Sequence, residues 1–152
     1  PGVLYDIVEP MSYLYNDSRS KRLVRRAYRD IADVPADSSY LKIVSIACLE
    51  HVENLPDLIC SAQQLLAPGG VFVAAIPCEG EGMWWLSWRI ASGLAYRLRY
   101  RSSYSNVMRH EHINQHAEIE AILRHRFQRV CRVSFPLPFR HLRLYSVFVC
   151  SM

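Results

Sequence analysis

Apolar and polar residues in the first half of the chain follow a pattern that predicts a strand, a helix and a second strand. The stretch IVSIACL (43–49) is almost continuously apolar and starts with β-branched residues, as in a strand covered on both faces. Apolar residues then recur at helical spacing, at Leu55, Leu58, Ile59, Ala62, Leu65 and Leu66. Asn54 is expected to cap this helix, and Gly69 or Gly70 to end it. The apolar run VFVAAIP (71–77) completes a crossover between two parallel strands.

The segments on either side of this unit predict further elements. GVLYDIVEP predicts a short strand over residues 3–5, with Asp6 or Glu9 at its carboxyl end. The basic stretch SRSKRLVRRAY (18–28) predicts a surface helix, and the turn-rich segment after it contains Asp30. Near the C-terminus, HINQHAEIEAILRHRF predicts a helix capped by Asn114. Two strands follow it, close enough in sequence to pair antiparallel.

A tryptophan-rich stretch over residues 83–104 also has helical spacing, with three tryptophans near its start and arginines near its end. Three interpretations remain open for it. It is a lid over a ligand pocket, a helix lying on an anionic membrane surface, or an ordinary core helix, since aromatic stripes are most often packing.

The composition is that of one globular domain. Of 152 residues, 51% are hydrophobic and 21% charged, which excludes a disordered chain. No charged and apolar leader opens the sequence, and no apolar run approaches the ~20 residues of a membrane span. The five cysteines are dispersed without close pairs, which predicts reduced, buried thiols in a cytoplasmic protein.

Charge is unevenly distributed along the chain. Residues 1–82 hold seven basic and eleven acidic side chains, whereas residues 83–152 hold eleven arginines and three glutamates. Such a basic half suits an anionic partner, such as a phosphorylated substrate, a nucleic acid or a lipid headgroup. An arginine-rich surface that contacts only solvent is an equally favoured alternative. The basic half contains no recognised nucleic-acid-binding module.

Polar side chains follow the ends of three predicted strands. Asp6 or Glu9, Asp30 and the pair Glu50–His51 all lie just past such ends, where open α/β sheets bind ligands. One carboxylate can accept hydrogen bonds from ribose hydroxyls, and another can accept from a purine amino group. Glu50 could equally cap the helix that follows it.

The stretch RDIADVPADSSYLKIVSIACLEHVENLPDLICSAQQLLAPGGVFVAAIP resembles the middle of a class I S-adenosylmethionine-dependent methyltransferase. The matching features are an acidic loop with Asp30 and Pro35, a strand ending in LEHV (49–52), and a helix ending in LAPGG (66–70). The later stretch RHEHINQHAEIEAILRHRF (109–127) resembles a bacterial subgroup of this family. The resemblance implies an α/β fold, with a Rossmann-like, mostly parallel sheet and a C-terminal antiparallel hairpin.

The resemblance also implies roles for individual residues. Asp6 takes the position that holds the cofactor ribose, and Asp30 with Ile31 takes the adenine-binding position. His51 faces the donor or the substrate entrance and is the candidate base for a substrate hydroxyl. The remaining implied cofactor residues, which line the methionine end of S-adenosylmethionine, are Ser45, Ile46 and Ala47.

A second set of polar residues precedes the helix near the C-terminus. Arg109, His110, Glu111 and His112 are interpreted as a loop wall over the substrate pocket. The spacing of His110, His112 and His116 does not match a zinc pattern, so no metal site is predicted. Residues 83–113 are expected to form a lid or substrate insertion within a methyltransferase-like domain that spans 1–152.

The front of the sequence departs from the family pattern. The glycine-rich loop of the form E-x-G-x-G-x-G is absent, since Gly2 is the only glycine before Gly69. Lys42 also stands where the family usually has Asp. In the family's sheet, the first strand lies between the strand ending at Asp6 and the strand ending at Leu49. We therefore expect this sequence to lack its natural N-terminal part, including the first strand and helix.

The function predicted from the resemblance is methyl transfer to an oxygen or nitrogen of a small-molecule or glycan-type acceptor. Two alternatives from other classes stay open. One is a methyltransferase-like binding module without catalysis. The other is a protein that binds a membrane surface or a nucleic acid through its arginines.

Overall fold

The structure is a computed structural model that describes residues 4–16, 21–79, 81–87, 89–90, 99 and 113–152. The chain divides into two compact units between Ser39 and Tyr40. Each unit has a sheet of its own.

The smaller unit contains two short parallel strands. β1 (Tyr5–Val8) pairs in parallel with β2 (Val24–Tyr28), with Asp6 opposite Arg26 in the register. The short helix α1 (Tyr13–Asn16) lies between them in sequence.

Two predictions for this unit are wrong. The surface helix predicted over 18–28 contains strand β2 instead, because pairing with the backbone of β1 overrides the helical tendency of its arginines. Residues 17–20 lie outside the described part of the chain. The strand predicted over 3–5 begins at Tyr5, so Asp6 lies within β1 and not beyond its end.

The larger unit carries four strands and three helices within the described residues. In chain order these are β3 (Tyr40–Ile46), α2 (Leu55–Gln64), β4 (Leu66–Pro77), α3 (Gly82–Ser87), α4 (His116–Arg126), β5 (Arg129–Pro136) and β6 (Arg143–Ser151). The strand order is β3–β4–β6–β5; β3 and β4 are parallel, and β6 is antiparallel to both of its neighbours. The predicted α/β fold with parallel strands and a C-terminal antiparallel hairpin is therefore confirmed.

The Pro-Gly-Gly segment belongs to strand β4 and does not end helix α2, which corrects the sequence-based expectation. Helix α2 already ends at Gln64. A Cβ on Gly70 would meet the backbone oxygens of Ala67 and Tyr40 at 2.9 Å, and Gly69 has a φ of 75°. The two glycines therefore allow β4 to begin with an irregular turn close to β3.

Helices α2 and α4 cover one face of the four-stranded sheet. Phe72 of β4 stacks on Phe127 at the end of α4 with ring centroids 5.8 Å apart. His116 tilts against Phe148 of β6 at 5.7 Å. Each large apolar side chain buried here stabilises the fold by about 1.5–3 kcal/mol. This core includes Leu55, Ile59, Phe72, Ala74, Ile76, Ile119, Leu123 and Phe148.

A buried ion pair joins the start of α3 to the start of β6. Arg143 Nε donates to the two carboxylate oxygens of Glu81 at 2.9 and 2.8 Å, and the backbone N–H of His141 donates to Glu81 Oε2 at 3.2 Å. Burial by itself would raise the pKa of Glu81, but the hydrogen bonds from Arg143 bring that pKa below its ordinary value.

The cysteines, all of which are described, form no disulfide. Cys78 and Cys150 are buried as predicted, and burial raises the pKa of Cys150 to about 12. Cys48 and Cys131 are exposed, so the expectation of buried thiols is wrong for them.

In the ranges that the structure describes, no helix is long and apolar enough to cross a membrane.

Candidate functional site

The chain turns sharply at the carboxyl end of β3. Ala47 has a φ of 47°, a left-handed conformation that is unusual for a residue with a Cβ, and its N–H still donates to Ala75 O at 2.9 Å. A 3₁₀ turn follows at Leu49–His51. The turn buries Leu49 completely and leaves Glu50 only 2% exposed. The sequence LEH is therefore part of a structured turn at the edge of the sheet.

Asn114 fixes this turn from the opposite end of the sequence. Its side-chain Nδ2 donates to Leu49 O at 2.9 Å and to Val52 O at 2.6 Å. The backbone N–H groups of Ile113 and Asn114 both donate to Glu50 O. Asn114 was predicted to cap helix α4, but the cap residue is Gln115, and Asn114 instead anchors the turn that carries Glu50.

Glu50 and Glu79 occupy equivalent positions past the ends of two neighbouring strands. Ile46 of β3 pairs with Ala75 of β4, and each glutamate lies four residues beyond its member of this pair. Burial raises the pKa of Glu50. Burial and then the charge of Glu50 raise the pKa of Glu79 to about 7. The Glu79 carboxyl group is therefore close enough to Glu50 for the charge of Glu50 to disfavour its ionisation.

Two further polar groups lie beside Glu50. His51 Nε2 is 4.0 Å from Glu50 Oε1, and the imidazole side chain is 42% exposed. Tyr145 of β6 pairs with Pro77, and burial followed by the charge of Glu50 raises the pKa of the Tyr145 phenol. The edge thus combines carboxyl, imidazole and phenol groups, which can bind cations and move protons.

The side chain of Glu50 does not cap helix α2. The helix begins after Asn54, whose side chain donates to Asp57 at 2.6 Å instead of accepting from a backbone N–H. Among the described residues, Glu50 Oε2 is buried without a hydrogen-bond partner. The alternative in which Glu50 is a helix cap is therefore wrong.

The predicted cofactor residues on β3 lie on different faces of the sheet. Ser45 pairs with Ala74 and shares the face covered by α2 and α4, whereas Ile46 is on the opposite face and is 67% exposed. The Oγ of Ser45 is buried and has no hydrogen-bond partner among the described residues. Because neighbouring strand residues alternate in direction, Ser45 and Ile46 cannot both contact one ligand from the same face.

In the smaller unit, the two predicted cofactor carboxylates already have protein partners. Asp6 accepts a bidentate pair of hydrogen bonds from Arg25 at 2.8 and 2.7 Å. Asp30 Oδ1 accepts from the backbone N–H of Ala32 at 2.8 Å and caps the 3₁₀ turn Ile31–Asp33. The Asp30 side chain also accepts from the backbone N–H of Asp33 in a capping box, and the carboxylate is exposed to solvent.

Several predicted residues cannot be located. Arg109, His110, Glu111 and His112 lie outside the described residues, as does most of the predicted lid over 83–113. The described part of that stretch includes helix α3, and Arg89, two residues after its end, lies 4.6 Å above the ring of Trp85.

Sequence reasoning missed Glu79 and Tyr145. Glu79 follows the second buried strand, so the same rule that selected Glu50 would have found it. Tyr145 depends on the antiparallel register between β4 and β6, which the sequence pattern does not reveal.

Comparison with known proteins identifies the family. A family model described as a methyltransferase domain matches residues 1–129. The chain belongs to this methyltransferase-domain family. No curated protein matches the chain significantly.

Two solved structures are similar in fold. An O-methyltransferase family protein from Burkholderia thailandensis is 14% identical with a TM-score of 0.53, over 86% of this chain and 36% of that one. The N-methyltransferase NodS from Bradyrhizobium japonicum WM9 is 17% identical with a TM-score of 0.57, over 98% of this chain and 74% of that one. The chain thus spans 36% and 74% of the lengths of these two structures.

Proposed function

We propose that this protein transfers a methyl group from S-adenosylmethionine to an oxygen or nitrogen of a small-molecule or glycan-type acceptor. The observation that carries this proposal is the anchored Glu50–His51 turn at the carboxyl end of β3, in a chain of the methyltransferase family. This edge of an α/β sheet is where ligands bind. When bound, the donor supplies an electrophilic methyl group.

The residues proposed to hold the donor fit it in part. The exposed carboxylate of Asp30 has lone pairs left to accept from a purine amino group, and the neighbouring Ile31 offers an apolar contact for the ring. Asp6 can accept from ribose hydroxyls only by sharing its oxygens with Arg25. We assign the methionine end of the donor to Ser45 and Ala47, and not to Ile46, whose side chain lies on the opposite face of the sheet.

His51 is the proposed proton acceptor. Its imidazole is partly exposed and lies beside the buried Glu50 carboxyl group, which can stabilise the imidazolium that forms. The acceptor wall is assigned to Arg109, His110, Glu111 and His112. The described thiols form no disulfide, in keeping with a cytoplasmic location for the enzyme.

A transfer assay tests this proposal. The full-length protein is incubated with S-adenosylmethionine carrying a radiolabelled methyl group and a small-molecule extract of the organism that encodes it. We expect His51→Asn to reduce labelling by about 10²-fold, because general bases contribute roughly that much. His125→Asn, at an exposed position on α4, is the matched control and should label as the wild type does. Equal labelling by His51→Asn contradicts the role of His51, and no labelling by the folded wild type contradicts the function.

One observation favours a second candidate function. The bidentate pairing of Asp6 with Arg25 engages the carboxylate assigned to the ribose, as expected of a methyltransferase-like binding module that does not catalyse. Such a module would give no labelled product in the assay above.

A further inference from the structure

We propose that the acceptor is an amine, which binds as its ammonium ion at the carboxyl groups of Glu50 and Glu79. This inference rests on the proposed methyl transfer and narrows the methylated atom from oxygen or nitrogen to nitrogen. Glu50 and Glu79 are specificity-determining residues in this account, and His51 remains the proton acceptor.

The first support is the position of Glu50. This side chain is 2% exposed, yet its Oε2 has no hydrogen-bond partner among the described residues. A buried carboxylate oxygen without a partner is costly, and an N–H donor from a ligand would remove that cost. The turn cannot readily move away from this arrangement, because Asn114 holds it through Leu49 O and Val52 O.

The second support is the coupling between the two glutamates. They lie at equivalent positions past adjacent parallel strands, and the charge of Glu50 disfavours ionisation of Glu79. Among the described residues, the groups around them include His51, on the same turn as Glu50, and Tyr145 at the start of β6. A cation bound here would let both carboxyl groups ionise.

These two features favour an ammonium ion over an alcohol. A primary ammonium has three N–H donors and a positive charge, so it can satisfy Glu50 Oε2 and also offset the repulsion between the carboxylates. An alcohol has one donor and no charge, and would leave the repulsion in place. The site therefore selects nitrogen by charge.

The chemistry balances with the groups present. The ammonium gives one proton to the imidazole of His51, which leaves a neutral amine with a lone pair. The lone pair forms the new N–C bond as the S–C bond of the donor breaks, and sulfur keeps the electron pair of that bond. The products are an N-methylammonium ion and the neutral thioether, and the imidazolium later returns its proton to water.

Binding is tested without the methyl donor by ¹³C NMR of the glutamate carboxyl carbons in the full-length protein. The probes are propylamine, which is an ammonium ion at neutral pH, and 1-propanol, which has the same carbon skeleton. With propylamine we expect the Glu79 midpoint to fall from about 7 towards its ordinary value of 4.5, and with 1-propanol we expect no change. In Glu79→Gln, propylamine binding is followed by the chemical shift of the Glu50 carboxyl carbon. We expect this substitution to weaken binding by at least about tenfold. Glu118→Gln, at an exposed position on α4, is the control and should not weaken it.

Three results would overturn the inference. Equal responses to both probes would mean that charge is not recognised, and no response to propylamine would mean that the carboxyl pair is not its site. A response that a chelator abolishes would assign the carboxyl groups to a metal ion.

The transfer assay separates this inference from the proposed function. The extract is treated with an acetylating ester that caps amines and leaves hydroxyl groups, and labelling is compared with untreated extract. Loss of label after capping supports an amine acceptor. Undiminished label after capping overturns the inference but leaves methyl transfer standing, and no label from either extract overturns both.

Discussion

Glu79 illustrates how a single side chain acquires unusual behaviour from its surroundings. It follows an apolar strand, lies partly buried at the sheet edge, and is close enough to feel the charge of Glu50. Both effects disfavour its ionised form. The folded protein therefore holds a proton at Glu79 at a pH where an exposed glutamate would have lost it.

This predicts a pH-dependent cost to stability. The carboxyl ionises at about 4.5 in the unfolded chain and at about 7 in the folded protein. As the pH rises through this window, the unfolded state releases a proton that the folded state keeps, so stability falls. The unfolding free energy of Glu79→Gln minus that of the wild type should therefore increase by about 1–2 kcal/mol from pH 5 to pH 8. This figure allows for the partial exposure of the side chain.

Urea denaturation of both proteins at pH 5 and pH 8 provides the measurement. Taking the difference between variant and wild type removes the contributions of the other titrating groups. A difference that is the same at both pH values would show that Glu79 is not coupled to folding.

At the residue scale, the sequence predicts positions better than contacts. Glu50 and His51 are predicted at a strand end because the apolar run before them stops there. The partner of Asp6 could not be predicted. Arg25 lies 19 residues later in the sequence and contacts Asp6 only because of the register between β1 and β2. Tyr145 is missed for the same reason.

At the element scale, Asn114 is the connection on which the candidate site depends. Its amide bonds two carbonyl groups of the turn around Leu49–His51, just before helix α4 begins. Besides this amide, the backbone N–H groups of Ile113 and Asn114 donate to Glu50 O, whereas Glu50 Oε2 accepts no hydrogen bond from the described residues. The orientation of Glu50 and His51 therefore follows the placement of α4.

Removing this amide should loosen the turn. Asn114→Ala leaves the Leu49 and Val52 carbonyls without their donor, so we expect a loss of about 1–3 kcal/mol in unfolding free energy. Backbone amides of residues 49–52 should also exchange hydrogen faster. Gln115→Ala is the matched control, since Gln115 is exposed and makes no side-chain cap.

Hydrogen exchange measured by NMR, together with urea denaturation, checks this expectation. If Asn114→Ala and Gln115→Ala behave alike, Asn114 is not the anchor of the turn.

Elements with strong apolar periodicity are predicted well. Helices α2 and α4 and the hairpin of β5 and β6 occur where the sequence places them. Strand β2 is missed, because VRRAY has no apolar alternation and its strand conformation comes from pairing with β1. Pro-Gly-Gly is misread as a helix stop, since its role depends on the close approach of Tyr40.

At the scale of the whole molecule, the fold and the family agree while the front of the sequence differs from the family pattern. Within the described residues, β1 pairs only with β2, and β3 pairs only with β4. The glycine-rich loop expected for the family is absent from the sequence. The proposed methyl transfer therefore depends most on whether the protein binds the donor.

Calorimetric titration of S-adenosylmethionine into the full-length protein tests this most directly. We expect one binding event, weakened about tenfold in Asp30→Asn, because asparagine keeps one side-chain oxygen to cap Ile31–Asp33 but replaces the other acceptor with a donor. Asp37→Asn, in the same exposed loop, should bind as the wild type does. Absence of binding heat from the folded protein, or equal affinity in Asp30→Asn, would contradict the account.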